Sequence, residues 1–217
     1  MSNVIDTEKK LAAERAAELV SDGMLVGLGT GSTVAYLLPA LAVRKLNLRC
    51  VSTSPQTEQA ATELGLFVEP FSDLDRLDIA IDGADQVAGD GWLVKGGGGA
   101  HTREKIVAAA ADRFVVIADS SKPVDRIRAP IPLELASFGL ASTLRELGSA
   151  QVRDAPASPD GGVIADYVGE VNEPQRLAAW LAAVPGVIEH GLFGPQLVSQ
   201  VLVARGETVE VAFDRDV

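Results

Sequence analysis

Apolar positions along the first half of the chain alternate between a helical rhythm and short continuous runs. From Asp6 to Val20, Leu11, Ala12, Arg15, Ala16, Leu19 and Val20 share one helical face, and Ser21-Asp22-Gly23 supplies a stop with a glycine for a left-handed cap. Met24 to Leu28 is a short apolar run, as expected for a strand buried on both faces. It breaks into Gly29-Thr30-Gly31-Ser32-Thr33, and Val34 to Leu38 resumes the helical pattern. The unit then recurs. Leu48 to Ser52 reads as strand, Ser52 to Thr57 as a polar turn and Glu58 to Leu64 as helix. Leu66 to Val68 and Leu77 to Ile81 read as strands, the second ending in Asp82-Gly83-Ala84-Asp85. Trp92-Leu93-Val94 leads into Lys95-Gly96-Gly97-Gly98-Gly99, and Glu104 to Ala111 is a good helix former. Phe114 to Ala118 is a further strand, ending in Asp119-Ser120-Ser121-Lys122.

Strands alternating with helices predict an α/β fold, a doubly wound, mostly parallel Rossmann-like sheet with helices on both faces. Ligands of such sheets bind beyond the carboxyl ends of the strands. Every glycine-rich or polar stretch named above follows a strand, so all are expected on one rim. After about Arg126 the texture changes. Strands at Ile131–Leu135, Ala150–Arg153, Val163–Tyr167 and Val187–Leu192, with helices at Ser142–Leu147 and Pro174–Val184, give the order β-α-β-β-α-β of a ferredoxin-like α+β domain. A final apolar stretch, Gln200 to Ala204 and Thr208 to Phe213, reads as a return towards the first domain. The bounds drawn are 1–126 with 205–217 for the larger domain and 127–204 for the smaller.

Composition narrows the class. The chain has 217 residues, 47% hydrophobic and 23% charged, as in ordinary globular proteins. Its formal net charge of −11 argues against a nucleic-acid or anionic-membrane surface. A small anion would have to be held by backbone N–H groups and a few local cations. One cysteine, Cys50, excludes an intrachain disulfide, and its apolar surroundings suit a buried structural thiol. The two histidines, His101 and His190, are far apart in sequence, and no metal site is expected. No run approaches membrane-spanning length and the N-terminus has no signal-like apolar core, so a cytoplasmic location is expected.

The chemistry-bearing residues cluster at the strand ends. Gly29 to Thr33 departs from a dinucleotide fingerprint, whose third glycine would fall at Ser32, and lacks the lysine of a Walker loop. A hydroxyl-rich helix start remains, suited to one phosphate or a sugar hydroxyl, or else an ordinary tight turn. Asp82 and Asp85 follow a buried strand, where a carboxylate is costly unless solvated, paired or used. Four glycines after Lys95 pay a high ordering entropy that φ freedom or bareness must justify. Glu104 poses a conflict: a helix start and a nearby lysine lower its pKa, whereas burial and neighbouring aspartates raise it. Ser52, Ser54 and Thr57 are either helix-capping or ligand-binding, and Lys122 is either a phosphate cation or a surface lysine.

Gly27 to Thr33, Ser52-Thr53-Ser54, Asp82-Gly83-Ala84-Asp85, Lys95 to Lys105 and Ala118 to Lys122, with Val184 to Val187 and Gly191-Leu192-Phe193 later, resemble type A ribose-5-phosphate isomerases in order and spacing. The resemblance implies an enzyme of the non-oxidative pentose phosphate pathway that interconverts ribose 5-phosphate and ribulose 5-phosphate without cofactor or metal. It implies a phosphorylated pentose held by Thr30, Gly31, Ser32, Thr33, Asp82, Gly83, Ala84, Asp85, Lys95, Gly96, Gly97, Gly98 and Lys122. Glu104 falls at the family's proton acceptor, with Asp82, Asp85 and Lys95 as its catalytic companions. A homodimer or homotetramer is what the family suggests. Gln86 departs from the usual glutamate after Asp-Gly-Ala-Asp and removes one negative charge. The rivals are another enzyme on this architecture, such as an amino-sugar-phosphate isomerase or a CoA transferase, and a sugar-phosphate-sensing module without catalysis.

Overall fold

The computed structural model describes residues 2–215; Met1, Asp216 and Val217, which fall within the expected domain bounds, lie outside the described residues. In chain order the first half comprises α1 (Ser2–Ala17), β1 (Leu25–Leu28), α2 (Val34–Ala42), β2 (Arg49–Ser52), α3 (Pro55–Glu63), β3 (Leu77–Gly83), β4 (Gln86–Ala88), β5 (Leu93–Val94), α4 (His101–Ala110), β6 (Ala111–Asp119) and β7 (Pro123–Val124). The remainder comprises β8 (Ile131–Leu135), α5 (Leu140–Leu147), β9 (Ala150–Val152), β10 (Val163–Tyr167), α6 (Pro174–Ala183), β11 (Val187–His190), β12 (Leu192–Phe193), β13 (Gln200–Arg205) and β14 (Thr208–Asp214).

Six strands form the large sheet in the order β14-β13-β6-β3-β1-β2. All its pairings are parallel except β13 with β14. Successive residues of β3 and β6 are buried to opposite sides. Ile79, Ile81, Val115 and Ile117 pack with Ala12, Ala16, Leu37 and Leu41 of α1 and α2. Leu77, Ala80, Phe114 and Val116 pack with Val107 and Ala108 of α4. Burial on both faces explains why these strands read as continuous apolar runs rather than as alternations. Cys50 sits within this core, and burial pushes its thiol up to about 12, with Glu69 adding to the shift. Leu66 to Val68, expected as a strand, makes only a single bridge from Val68 to Cys50.

A second sheet has the order β11-β8-β10-β9 and is antiparallel throughout. The return to the large sheet starts at residue 200 rather than 205. β13 runs in register with β6 from Gln200–Val115 to Ala204–Asp119, so residues 200–204, grouped above with the smaller domain, pair within the large sheet.

A third sheet, β12-β5-β4-β7, was not anticipated. Its strands are two or three residues long, below the length at which periodicity is readable. It separates two cores by simple alternation. Val87, Leu93 and Phe193 point into the core of the large sheet, while their neighbours Ala88, Val94 and Leu192 join Ile131, Leu133 and Leu181 in the core of the small one. The glycine loop therefore leaves β5 of this partition, not a strand of the large sheet. Among the described residues no helix is long and apolar enough to cross a membrane.

Candidate active site

A cavity of about 120 Å³ opens where the ends of β1, β3 and β6 meet the loop after β5. Thr30, Gly31, Ser32 and Thr33 line it from the β1–α2 turn, Gly83, Ala84 and Asp85 from the end of β3, Lys95 to Gly98 and Glu104 from the glycine loop and α4, and Lys122 from the turn after β6. Thirteen of the fourteen site residues expected from sequence are thus brought together. Asp82 is the fourteenth, and it lies behind the wall rather than in it.

Asp82 is buried and organises three of the contributing segments. Its Oδ1 accepts the backbone N–H groups of Thr30 at 3.0 Å and Gly83 at 2.7 Å, and its Oδ2 stands 2.9 Å from Lys95 Nζ. Gly29 makes this approach possible, because a Cβ there would sit 1.9 Å from the Asp82 carboxyl carbon. Lys95 also donates to the Gly83 carbonyl at 2.5 Å and lies 3.2 Å from Glu104 Oε2. Its ammonium stands 5.6 Å from the centre of the Phe193 ring, within cation–π range. Glu104 Oε2 is in ion-pair range of Lys95 but has no hydrogen-bond partner among the described residues.

One ammonium thus serves two buried carboxylates, with Asp85 close by. Burial alone would strip the proton from Lys95, but Asp82 and Glu104 outweigh it and hold the ammonium above its ordinary pKa. Burial raises Asp82 against the pull of Lys95 and the two N–H groups. Glu104 is pushed up to about 8, chiefly by burial, with Asp82 and Asp85 adding and Lys95 opposing. The conflict seen in the sequence is resolved in favour of burial and like charge.

On the β1–α2 side of the cavity, Thr33 is the N-cap of α2 and makes no side-chain cap bond. Its hydroxyl is therefore uncommitted to the helix. Ser54, by contrast, caps α3 by accepting from Thr57 N at 3.2 Å, and Ser52 donates to the Ser54 carbonyl. The capping alternative holds for that turn, which lies outside the cavity. His101 is buried away from the cavity, its pKa lowered to about 4, first by desolvation. Gln86 points elsewhere: its amide donates to the Arg128 carbonyl at 2.7 Å and accepts from Arg128 N at 2.9 Å. A glutamate could make only the second of these bonds. Among the described residues no group of three or more His, Cys, Asp or Glu is arranged to hold a metal ion.

The family model described as Ribose 5-phosphate isomerase A (phosphoriboisomerase A) matches residues 49–208. The chain belongs to the ribose 5-phosphate isomerase A family. It is 42% identical to the Ribose-5-phosphate isomerase A of Sphingopyxis alaskensis, covering 97% of both chains. The ribose 5 phosphate isomerase A structure from Neisseria gonorrhoeae superposes with a TM-score of 0.91 at 32% identity, covering 95% of this chain and 96% of that one. A D-ribose-5-phosphate isomerase solved in complex with phospho-erythronic acid superposes with a TM-score of 0.90 at 32% identity, covering 97% and 99%.

Sequence reasoning missed what backs the cleft. Arg153, just after β9, and Phe193 of the partition contact it from behind, and Asp166 of β10 holds Arg153. No local pattern marks them, because their partners lie tens of residues away in the chain.

Proposed function

We propose that this cleft interconverts ribose 5-phosphate and ribulose 5-phosphate through an enediolate, with Glu104 as the base that moves the proton. The supporting observation is the buried Glu104 carboxyl in the cavity wall, raised to about 8 and with Oε2 free of hydrogen bonds. In the open-chain aldose the C1 carbonyl acidifies the C2 proton. Glu104 takes that proton, the electron pair forms a C1–C2 double bond, and negative charge develops on O1. The same carboxyl then returns the proton to C1, the O2 proton passes to the O1 oxyanion, and a carbonyl forms at C2. A base near the working pH combines a useful ionised fraction with real basicity, and such catalysis contributes on the order of 10²–10⁴-fold.

Lys95 and the N–H groups of the glycine loop offset the charge on O1, the kind of preorganised electrostatics that is usually the largest contribution. Asp85 faces the cavity and orients substrate hydroxyls. Asp82 acts at one remove by fixing Lys95 and the Thr30 amide, a positioning role rather than direct contact. Thr30 to Thr33 and Lys122 hold the phosphate. We read the large sheet as Rossmann-like and the small one, whose strands run 4-1-3-2 in their own sequence order, as ferredoxin-like. The chain is proposed to act in the cytoplasm as a homodimer or homotetramer, which light scattering tests directly. That near-full-length relatives are named ribose-5-phosphate isomerases favours catalysis over mere sensing.

The deciding experiment is Glu104→Gln, assayed with ribose 5-phosphate and by exchange of the C2 proton into solvent deuterium. Both should fall by at least about 10²-fold in a folded protein. Near-normal isomerisation by the purified variant would remove Glu104 from the chemistry.

A further inference from the structure

The glycine loop is held from outside the cleft by one side chain. Arg153, just after edge strand β9, donates through one terminal nitrogen to the Gly96 carbonyl at 3.1 Å and the Gly97 carbonyl at 3.0 Å. Its Nε and other terminal nitrogen bind Asp166 of β10 at 3.0 and 2.5 Å, a bidentate pair that fixes the plane of the guanidinium. The Arg153 and Asp166 side chains are only 23% and 21% exposed. In a trans peptide the carbonyl and the following N–H point in opposite directions. Holding the Gly96 and Gly97 carbonyls on Arg153 therefore turns the Gly97 and Gly98 N–H groups to the other side. That side is the cleft: Gly97 N–H donates to Asp85 Oδ2 at 2.8 Å. The Gly96 carbonyl also accepts from the Gly99 N–H at 3.1 Å, so its peptide is held by Asp85, Gly99 and Arg153 together, whereas Arg153 is the one partner of the Gly97 carbonyl among the described residues, and no glycine side chain stiffens that peptide. Hydrogen bonds at the two carbonyls also polarise the same peptides and strengthen their N–H groups as donors.

We propose that Arg153, clamped by Asp166, is a positioning residue for the isomerisation: it sets the peptide planes of the glycine loop so that the Gly98 N–H faces the substrate oxygen on which charge develops. The small domain thereby completes the catalytic site without touching the substrate. This rests on the assignment of the loop to enediolate stabilisation made above.

The test compares Arg153→Ala, Arg153→Lys and Asp166→Asn with the unmodified chain, each checked for cooperative thermal unfolding above the assay temperature. Arg153→Ala is expected to lower kcat by about 10- to 100-fold, short of the roughly 10²–10³-fold cost of deleting an oxyanion donor outright, with KM changed far less. Lysine, a single point donor, cannot span two carbonyls and a carboxylate together, so Arg153→Lys should recover only part of that loss. Added guanidinium should partly restore Arg153→Ala, and sodium chloride at the same ionic strength should not. Asp166→Asn, which keeps the shape and loosens the clamp, should lower kcat in the same direction by less. Folded Arg153→Ala with unmodified kcat overturns the proposal. If Arg153→Ala does not fold, unmodified kcat in Asp166→Asn overturns it instead. Should Glu104→Gln be inactive while all three variants retain full kcat, the positioning role alone fails and the assignment of Glu104 stands.

Discussion

Two lysines approach the ring of Phe193, Lys95 at 5.6 Å and Lys105 at 5.0 Å, and each pairs with a glutamate. Their electrostatics are opposite. At Lys95 one ammonium faces Asp82 and Glu104, so carboxylates outnumber it, and the pKa values of Lys95 and Glu104 are both raised. At Lys105 one ammonium faces one carboxylate. Its Nζ donates to Glu189 Oε1 at 2.7 Å and to the His190 carbonyl at 2.6 Å, and stands 3.2 Å from His190 Nδ1. There burial lowers the lysine against the pull of Glu189, while Glu189 is itself lowered because Lys105 and the His190 amide overcome its desolvation. The balanced pair is saturated with partners. The unbalanced one leaves a carboxylate oxygen free to take a proton. Lys95 and its two carboxylates are buried whereas Lys105 and Glu189 are 14% and 26% exposed, so the ratio of charges and the depth of burial together separate a working site from a brace.

The sharpest way to break this contrast is to remove each lysine in turn. Lys95→Met should lower kcat by about 10² or more, because it removes the main offset to enediolate charge and leaves two buried carboxylates without their counter-ion. Lys105→Met should instead cost about 1–2 kcal/mol of stability, less than the orphaning of a fully buried charge because Glu189 is 26% exposed, with kcat of the folded protein unchanged. Denaturant melts paired with steady-state kinetics check both. If Lys105→Met loses activity while fully folded, the two clusters are not functionally distinct.

A smaller effect is expected in the pH profile. Glu104 must be ionised to act, and its raised pKa places the acid limb of kcat/KM near 8 rather than near 4.5, with about a tenfold fall per pH unit below it. Asp82→Asn removes a like charge and loosens Lys95, so the limb should move; an unmoved limb would mean that Asp82 does not set the Glu104 proton affinity. The acid side of stability belongs to the second cluster. His101 and His190 are both lowered to about 4 by burial, from 6.5 in the unfolded chain. Folded histidines then stay neutral where unfolded ones bind protons, so stability is complete above about pH 6.5 and declines as pH falls towards 4, by roughly 3 kcal/mol at most per histidine. His101→Leu should flatten that decline in thermal melts at pH 5 relative to pH 7.5, while a slope unchanged by the substitution would exclude His101 as a contributor.

Legibility from sequence followed the range of the interactions. The strands and helices of the large sheet are visible because each is long enough to repeat its own period, and parallel strands buried on both faces read as apolar runs. The partition sheet is not, since Val87-Ala88, Leu93-Val94 and Leu192-Phe193 are dipeptides whose alternate burial appears only when two cores close on them. Every residue lining the cleft could be named because strand ends gather turn residues, and because the motifs are those of a known family. The depth of Asp82 could not be anticipated, because Asp82 and Asp85 are equivalent as letters, yet β3 runs on through Gly83 and keeps Asp82 in the buried sheet while Asp85 lies beyond its end.

What the sequence determines by itself is the family, the alternating architecture and the set of residues at the rim, all carried by local pattern and by motif order. What only the tertiary structure decides is the proton affinity of Glu104, the hidden position of Asp82 and the hold of Arg153 on the glycine loop. These depend on burial and on distances between segments far apart in the chain. Desolvation and Coulomb interactions act through space, so no stretch of sequence contains them until the fold has brought its partners together.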